Sequence, residues 1–510
     1  MGVRRWWALG ALALSMLVIG LDLTVLNVAL PTLATDLHAS TRQLQWFADA
    51  YNLVLAAVIL PAGMLGDRFG RKRLMLGALV LFGGASAACA YATSPGGLIA
   101  ARAALGLGAA FLLPLSVSVL PVLFTPDERP RAITVWATAN VIGIPLGPVL
   151  GGWLLDHYWW GSVFLINLPV IAAALVAVAV LLPESADPAR PRFDPVGAAT
   201  SGVGLVALTY GLIEVGEKGW GSGSALGTAF AGLVVLAVFG WWQRRTDHPL
   251  VDLSLFGSAS FTWGAVLATL VSFALFGLFF TLPQYFQAIG GADALGTGLR
   301  LLPIVGGLLV GARVAARLAP RIAAKATVAT GFVLIAAGLA AGATSGVRTG
   351  YGFTAAWITL VGAGLGFALP AAMDATMSAL TPERSGVGSA LVMAMRQVGG
   401  TIGVAVLGTV INAGYRGRLE VGGLPAGAAE AVRRGVSTGM ATAQRLGSAP
   451  LRGSVRAAFM YGMDAMLLVC AGTAVLGLVL SLAFLPRYAA PAGRPRAGRP
   501  ESGRDVLAAH

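Results

Sequence analysis

Charge is what this chain has least of. Asp, Glu, Lys and Arg make up 11% of its 510 residues, where soluble domains carry roughly 25%, and 57% of the residues are hydrophobic. That excludes a water-soluble globule. Histidine is nearly absent: His38, His157, His248 and His510 fall in loops or the tail. None joins Cys, Asp or Glu at metal-ligand spacing, so neither a metalloenzyme nor a resident metal or other cofactor is expected. Lysine is scarcer still. Lys72, Lys218 and Lys325 precede Arg, Gly and Ala, so none completes the Gly-x-x-x-x-Gly-Lys-Ser/Thr loop that cradles the phosphates of ATP. Cys89 and Cys470 sit in separate apolar segments and read as small core residues.

What the chain has in abundance is apolar runs of spanning length. About 20 apolar residues cross a bilayer as a helix, and fourteen such runs are found, near 6–33, 46–66, 74–93, 97–123, 131–155, 162–182, 196–215, 224–243, 260–287, 294–316, 326–344, 351–378, 386–412 and 457–486. The first run resembles a signal peptide, but it continues to about Leu33 without a small-residue cleavage site, and is read as a retained helix. The fold class expected is an all-α polytopic membrane protein. The net charge of +13 does not point to nucleic acid, because the basic residues lie in short clusters between spans. With the N-terminus inside, Arg4, Arg5, Arg68, Arg71, Lys72 and Arg73, later inner-loop arginines and the tail "RYAAPAGRPRAGRP" all face the cytoplasm, whereas the short outer loops hold only Arg42, Lys218, Arg300 and Arg348. Both termini are then cytoplasmic, in a cell membrane. A basic tail of this kind suits a solvated, lipid-facing segment.

Two breaks divide the chain: "PESADPARPRFDPVG" after span six and "QRRTDHPLVDLSLF" after span eight. They imply a six-helix bundle over 1–182, a linker with two extra helices over 183–256, a second six-helix bundle over 257–486 that includes an outer loop 413–456, and a basic tail over 487–510. Within that outer loop "GAAEAVRRGV" and "TAQRLGS" look helical. "ARVAARLAPRIAAK" (312–325) holds in the second six the place that "GDRFGRK" holds in the first, as an internal repeat would require.

Four segments carry chemistry: "GMLGDRFGRKRL" (63–74), "LDLTVLNVALP" (21–31), "LIAARAALGLGAA" (98–110) and "NVIGIPLGPVLGG" (140–152). On them the chain resembles the major facilitator superfamily, and more narrowly its fourteen-span drug:proton antiporter group. The resemblance covers nearly the whole chain apart from the tail and loop 413–456. It implies the major facilitator fold, two six-helix bundles around a central cavity, and export of a small amphiphilic substrate against protons, without ATP. In the first segment Gly63 and Gly66 allow helices to meet and Gly70 allows a turn. Asp67, with Arg68, Arg71 and Lys72, forms a cytoplasmic latch between the halves. In the second, Asp22 stands about 24 Å into the helix at 1.5 Å per residue, a depth at which a carboxylate is a functional candidate suited to exchanging a proton; Asn27 is a possible cavity residue and Thr24 a lesser one. In the third, Arg102 lies at a similar depth and could pair with Asp22, so that protonation would loosen the pair. In the fourth, Gly143, Gly147 and Gly151 repeat every four residues beside Pro148 and Gly152, giving a smooth, bent helix that in this superfamily accompanies export.

Three further intramembrane charges are noted. Arg396 in "MAMRQVGG" is mid-span and a possible cavity residue. Asp374 in "PAAMDATM" is either a further coupling carboxylate or a wetted helix end. Glu214, at the outer end of span seven, reads as solvated at the interface. Membrane carboxylates suggest cationic substrates. The alternatives are an exporter dedicated to one endogenous metabolite, antibiotic or lipid precursor, and a non-transporting membrane sensor in which these charges are idle.

Overall fold

The computed structural model describes residues 2–125, 128–185, 194–219, 221–318, 322–380 and 385–486, and for Asp67 and much of the first half of the fifth helix it describes the backbone alone. The elements are α1 (Gly2–Asp36), α2 (Thr41–Phe69), α3 (Arg71–Ala90), α4 (Pro95–Leu123), α5 (Arg129–His157), α6 (Ser162–Leu165), α7 (Asn167–Leu181), α8 (Pro195–Lys218) and α9 (Gly223–Gln243). There follow α10 (Ala259–Gln284), α11 (Ala294–Leu318), α12 (Ala324–Gly342), α13 (Tyr351–Met377), α14 (Ser385–Arg418), α15 (Ala426–Arg433), α16 (Val436–Arg445) and α17 (Ala449–Phe484). Among the described residues thirteen segments are long and apolar enough to cross a membrane, α6 and α7 together making one. The 29-residue α5 lies over the remaining expected span, 131–155.

The two bundles are built alike. In the first, α1 packs on α5 and α7, α4 packs between α2 and α3, and α3 meets α7. In the second, α10 packs on α14 and α17, α13 packs between α11 and α12, and α12 meets α17. This is one six-helix plan used twice, with α8 and α9 packed on each other outside it. The bundles meet along two seams, α2 against α14 and α5 against α11, and α8 lies over the first, touching both of its helices.

Polar caps set the helix ends beyond the apolar runs. Ser40 and Gln43 form a reciprocal capping box at the start of α2, which satisfies amides that would otherwise lack partners. Asp194 caps α8 through Gly197 N at 2.8 Å and accepts from Trp242 and Gln243 at the end of α9, fastening the two extra helices together. The outer connection expected over 413–456 is shorter, because α14 continues to Arg418 and α17 begins at Ala449; their polar end turns fall outside any hydropathy window. Its two short helices, α15 and α16, dock back on the first bundle, where Thr41 N and Oγ1 donate to the Arg434 carbonyl at 2.8 and 2.9 Å.

Candidate functional site

Asp22 on α1 and Arg102 on α4 are 0% and 2% exposed, and an Arg102 Nη1 donates to Asp22 Oδ2 at 2.6 Å. Arg102 Nε donates to the Phe47 carbonyl at 3.1 Å, and its guanidinium lies 4.7 Å from the centre of the Tyr51 ring, both on α2. The other carboxylate oxygen is approached by Asn167 Nδ2 at 3.5 Å; the same amide donates to Ser86 Oγ at 3.1 Å, and Ser86 donates to the Phe164 carbonyl. Helices α1, α2, α4 and α7 therefore converge on one ion pair, with α3 and α6 holding Asn167 from behind. A buried pair tolerates loss of either partner badly, because the survivor is a charge stranded away from water.

The glycines of α5 make this arrangement possible. A Cβ at Gly143 would lie 2.8 Å from Leu21 N, and one at Gly147 would lie 2.8 Å from Leu21 O and 3.0 Å from Val25 N. Gly151 faces Val25 in the same way. The backbones of α1 and α5 thus touch on either side of Asp22. At its C-terminal end α5 turns the same kind of surface to the second bundle: Gly152 abuts Ala294 and Leu295, the Pro148 carbonyl meets Gly298, and Asp156 accepts from the first two amides of α11, Ala294 N at 3.2 Å and Leu295 N at 3.0 Å.

Among the described residues the hydrogen bonds between bundles cluster at this end of the helices. Gln45 Nε2 donates to the Val404 and Ala405 carbonyls, and Gln287, in a π-helical turn ending α10, donates to the Val28 carbonyl at 3.0 Å. On α8, the Leu212 and Gly216 carbonyls accept from Thr409 and Asn412 of α14, while Glu214 holds Arg42 of α2 at 2.7 Å and also pairs with Lys218. The Glu214 side chain is 5% exposed. Instead of being solvated at the interface, as its position in the sequence suggested, it is buried between two cations.

At the opposite end of the helices Gly70 has φ +106°, and a Cβ there would lie 2.8 Å from Glu184 Oε1. Glu184 also accepts from Lys72 N at 3.2 Å, Lys72 Nζ donates to the Ala179 carbonyl, and Arg71 N donates to Ser185 O. The described contacts of this loop therefore run to the end of α7, in its own bundle. Arg68 stacks on Phe69. The Asp67 side chain lies outside the described residues. Gly66 faces the Leu115 side chain on α4, and a Cβ at Gly63 would stand at ordinary contact distance, 3.5 Å, from Pro114.

A central cavity of about 130 Å³ lies between the bundles, walled by Leu23, Leu275, Phe276, Phe279 and other apolar side chains. Its polar residues are Thr24, Asn27, Ser272, Arg396 and Gln397. A second gap of about 10 Å³, bounded by Asn27, Asn52, Phe276 and Arg102, lies between this cavity and the ion pair. Asp374 is not brought to either place: it is exposed, one turn from the inner end of α13.

Two carboxylates escaped the sequence reading. Asp49 on α2 is fully buried, and neither oxygen has a hydrogen-bond partner among the described residues. Asp464 on α17 has one buried oxygen in the same condition. The available signal was a lone Asp in each of "WFADAYNL" and "YGMDAML"; hydropathy boundaries at 46 and 457 placed both near a span edge. Glu184, Tyr51, Asn167 and Ser86 were likewise unmarked, since each matters only through what it touches.

Comparison with known proteins agrees with this architecture. The Major Facilitator Superfamily profile matches residues 12–404. The chain is 34% identical over 409 residues to the tetracenomycin C resistance and export protein of Streptomyces glaucescens, covering 80% of this chain and 76% of that one. It is 34% identical over 487 residues to the multidrug efflux pump LfrA of Mycolicibacterium smegmatis, covering 93% and 96%. Among solved structures, a bacterial homolog of the human lysosomal transporter Spinster, in an inward-facing and unoccupied conformation, superposes with a TM-score of 0.69 at 18% identity, covering 96% of this chain and 100% of that one; at that identity the likeness speaks for the fold. The chain belongs to the Major Facilitator Superfamily, among relatives that are multidrug and antibiotic efflux proteins, and is a multi-pass membrane transporter, not an enzyme.

Proposed function

We propose that the protein exports amphiphilic drugs or antibiotics from the cell in exchange for protons, by alternating access, with both termini in the cytoplasm of a cell whose plasma membrane it spans. The bundles 1–182 and 257–486 are the moving halves, and 183–256 carries the two helices between them. The observation that bears most of the weight is the sealed Asp22–Arg102 pair beside the glycine face of α5. A proton on Asp22 removes the charge that balances Arg102, and the pair loosens. The gap bounded by Asn27, Asn52 and Arg102 is of the order needed for one water, about 10–15 Å³, and offers the proton a route between pair and cavity. Because α1 rides on α5, and α5 carries the outer seam with α11, a change at Asp22 is two helix contacts from the contacts that close the outside. The loop at Gly63–Lys72 is the cytoplasmic counterpart, a latch whose hold on the end of α7 fixes the position of α3.

The test uses everted membrane vesicles, energised so that the lumen is acid and loaded with a pH-sensitive dye, with a panel of amphiphilic compounds added in turn. Substrate-triggered alkalinisation of the lumen in wild type, absent in Asp22→Asn, supports the reading. Alkalinisation that persists in the variant transfers coupling to another carboxylate, and no response from folded protein to any compound favours the sensor. A second reading, a dedicated exporter, is favoured by the relative named for a single compound, tetracenomycin C; a response to one compound alone selects it.

A further inference from the structure

The central cavity has an electrical sign. Of the residues that wall it, Arg396 is the one that carries a formal charge, and no carboxylate is among them. Arg396 Nε donates to Ser272 Oγ at 3.2 Å, the sole hydrogen bond of this side chain among the described residues, and no ion pair accompanies it. A guanidinium presents five N–H donors in a planar fork. Asp22, the carboxylate closest to the cavity along α1, is already held by Arg102, and Asp49 and Asp464 are not part of the wall. The rest of the wall is mostly apolar, with Phe276 and Phe279 among its side chains and Asn27 contributing an amide from α1. A lone cation in such surroundings is costly until an anion or a set of acceptors reaches it, and a planar carboxylate or phenolate meets the guanidinium fork with two charge-assisted hydrogen bonds.

Resting on the exporter reading above, we propose that the substrate site selects flat aromatic amphiphiles bearing a carboxylate or phenolate, with the anionic group on Arg396 and the ring against Phe276 and Phe279. This reverses the cationic preference that the membrane carboxylates suggest in the sequence. At about 130 Å³ the enclosed space is below the ~300–1,000 Å³ of drug-sized sites, so the bundles separate further to admit a whole molecule and close on its charged end. It has an energetic corollary. Moving an anion outward and a proton inward both carry positive charge into the cell, so an inside-negative potential drives that exchange, whereas exchange of a monovalent cation for one proton moves no net charge and gains nothing from it.

The test is equilibrium binding to the purified full-length protein, followed by quenching of its tryptophan fluorescence. The probes are anthraquinone-2-carboxylate, its neutral carboxamide, and the cation ethidium. In wild type the carboxylate is expected to bind at least tenfold more tightly than the other two, and Arg396→Gln to erase the difference between carboxylate and carboxamide. Should Arg396→Gln fail to fold, Ser272→Asp supplies a counter-ion while retaining the guanidinium, and is expected to lose the anion preference equally. Ethidium bound more tightly than the carboxylate, a preference unchanged in either variant, or no binding of the carboxylate to folded wild type would overturn the proposal. The dye assay on the same probes separates the two readings. Proton release with ethidium alone sinks the anion site and leaves the exporter standing; carboxylate binding without any proton response does the converse.

Discussion

The two intramembrane arginines, Arg102 and Arg396, are opposites in everything but residue type. Arg102 is 2% exposed and engages a carboxylate, a backbone carbonyl and an aromatic ring, all from its own bundle. Arg396 stands at the wall between bundles with one serine for company. A charge compensated within a bundle can be altered only by changing the bundle, which here means protonating its partner. A charge left uncompensated at the wall is available to whatever enters. In the proposed mechanism the first bundle carries the coupling chemistry, and the second offers the cavity its charge, although both are built on the same six-helix plan.

The comparison breaks first, and most severely, at Asp22. Asp22→Asn keeps the shape but strands Arg102, so it is expected to abolish substrate-linked proton movement, at least hundredfold, and to cost about 3–5 kcal/mol of stability. Thermal unfolding in detergent measures the second quantity. The double variant Asp22→Asn with Arg102→Gln removes both charges and should regain most of that stability without regaining transport. If the double variant is no more stable than the single, the pair is not what holds α1 and α4 together.

A smaller effect is expected from the packing that presents Asp22. Gly147→Leu drives a side chain into the α1 backbone at Leu21 and Val25; rigid neighbours of this kind make overpacking costly, typically about 1–3 kcal/mol, and transport should fall roughly tenfold or more. Gly63→Ala is its control within the motifs, since the added Cβ meets Pro114 at 3.5 Å, an ordinary contact, and transport should stay within about twofold. Equal losses in initial transport rate from the two variants would mean that close approach at α5 has no special role.

At the end of the bundles where α2 meets α8, Arg42→Gln comes next. It unties α2 from α8 while leaving the Thr409 and Asn412 bonds between α8 and α14 intact. The Arg42 side chain is 27% exposed, and pairs of that kind contribute at most about 1 kcal/mol. A shift in unfolding of that size or less is expected, together with faster labelling of a cysteine placed at Gln45 by a membrane-impermeant thiol reagent, since the α2–α14 seam opens more readily. Unchanged labelling would leave α8 a passenger.

Much of this was readable in the sequence, for a physical reason. Lipid demands long apolar helices, so the spans announce themselves, and a carboxylate or arginine deep inside one is conspicuous; Asp22, Arg102 and Arg396 stood out on that ground together with the motifs around them. The glycine repeat of α5 carries its meaning in its spacing. What sequence could not convey is partnership between distant segments. Glu184 acts through Gly70 and Lys72, Asn167 through Asp22, and Glu214 through Arg42, across separations that no periodicity marks. Hydropathy also misjudged depth. Helix α2 begins at Thr41, so Asp49 lies eight residues along it, about 12 Å at 1.5 Å per residue, well past the edge that an apolar window draws.

Asp49 supplies the finest test of the contrast, because it is a buried carboxyl side chain with nothing to lose. Asp22 has a cation and an amide; Asp49 has neither oxygen engaged among the described residues. Asparagine has nearly the same shape and needs no counter-ion, so Asp49→Asn should leave stability unchanged within about 0.5 kcal/mol or raise it slightly, since truncation costs arise from partners left behind. Measured beside Asp22→Asn in the same detergent, the two carboxylates should then differ by several degrees in unfolding temperature despite equal burial. A loss at Asp49 as large as that at Asp22 would mean that burial alone sets the cost, and partnership would no longer distinguish one intramembrane charge from another.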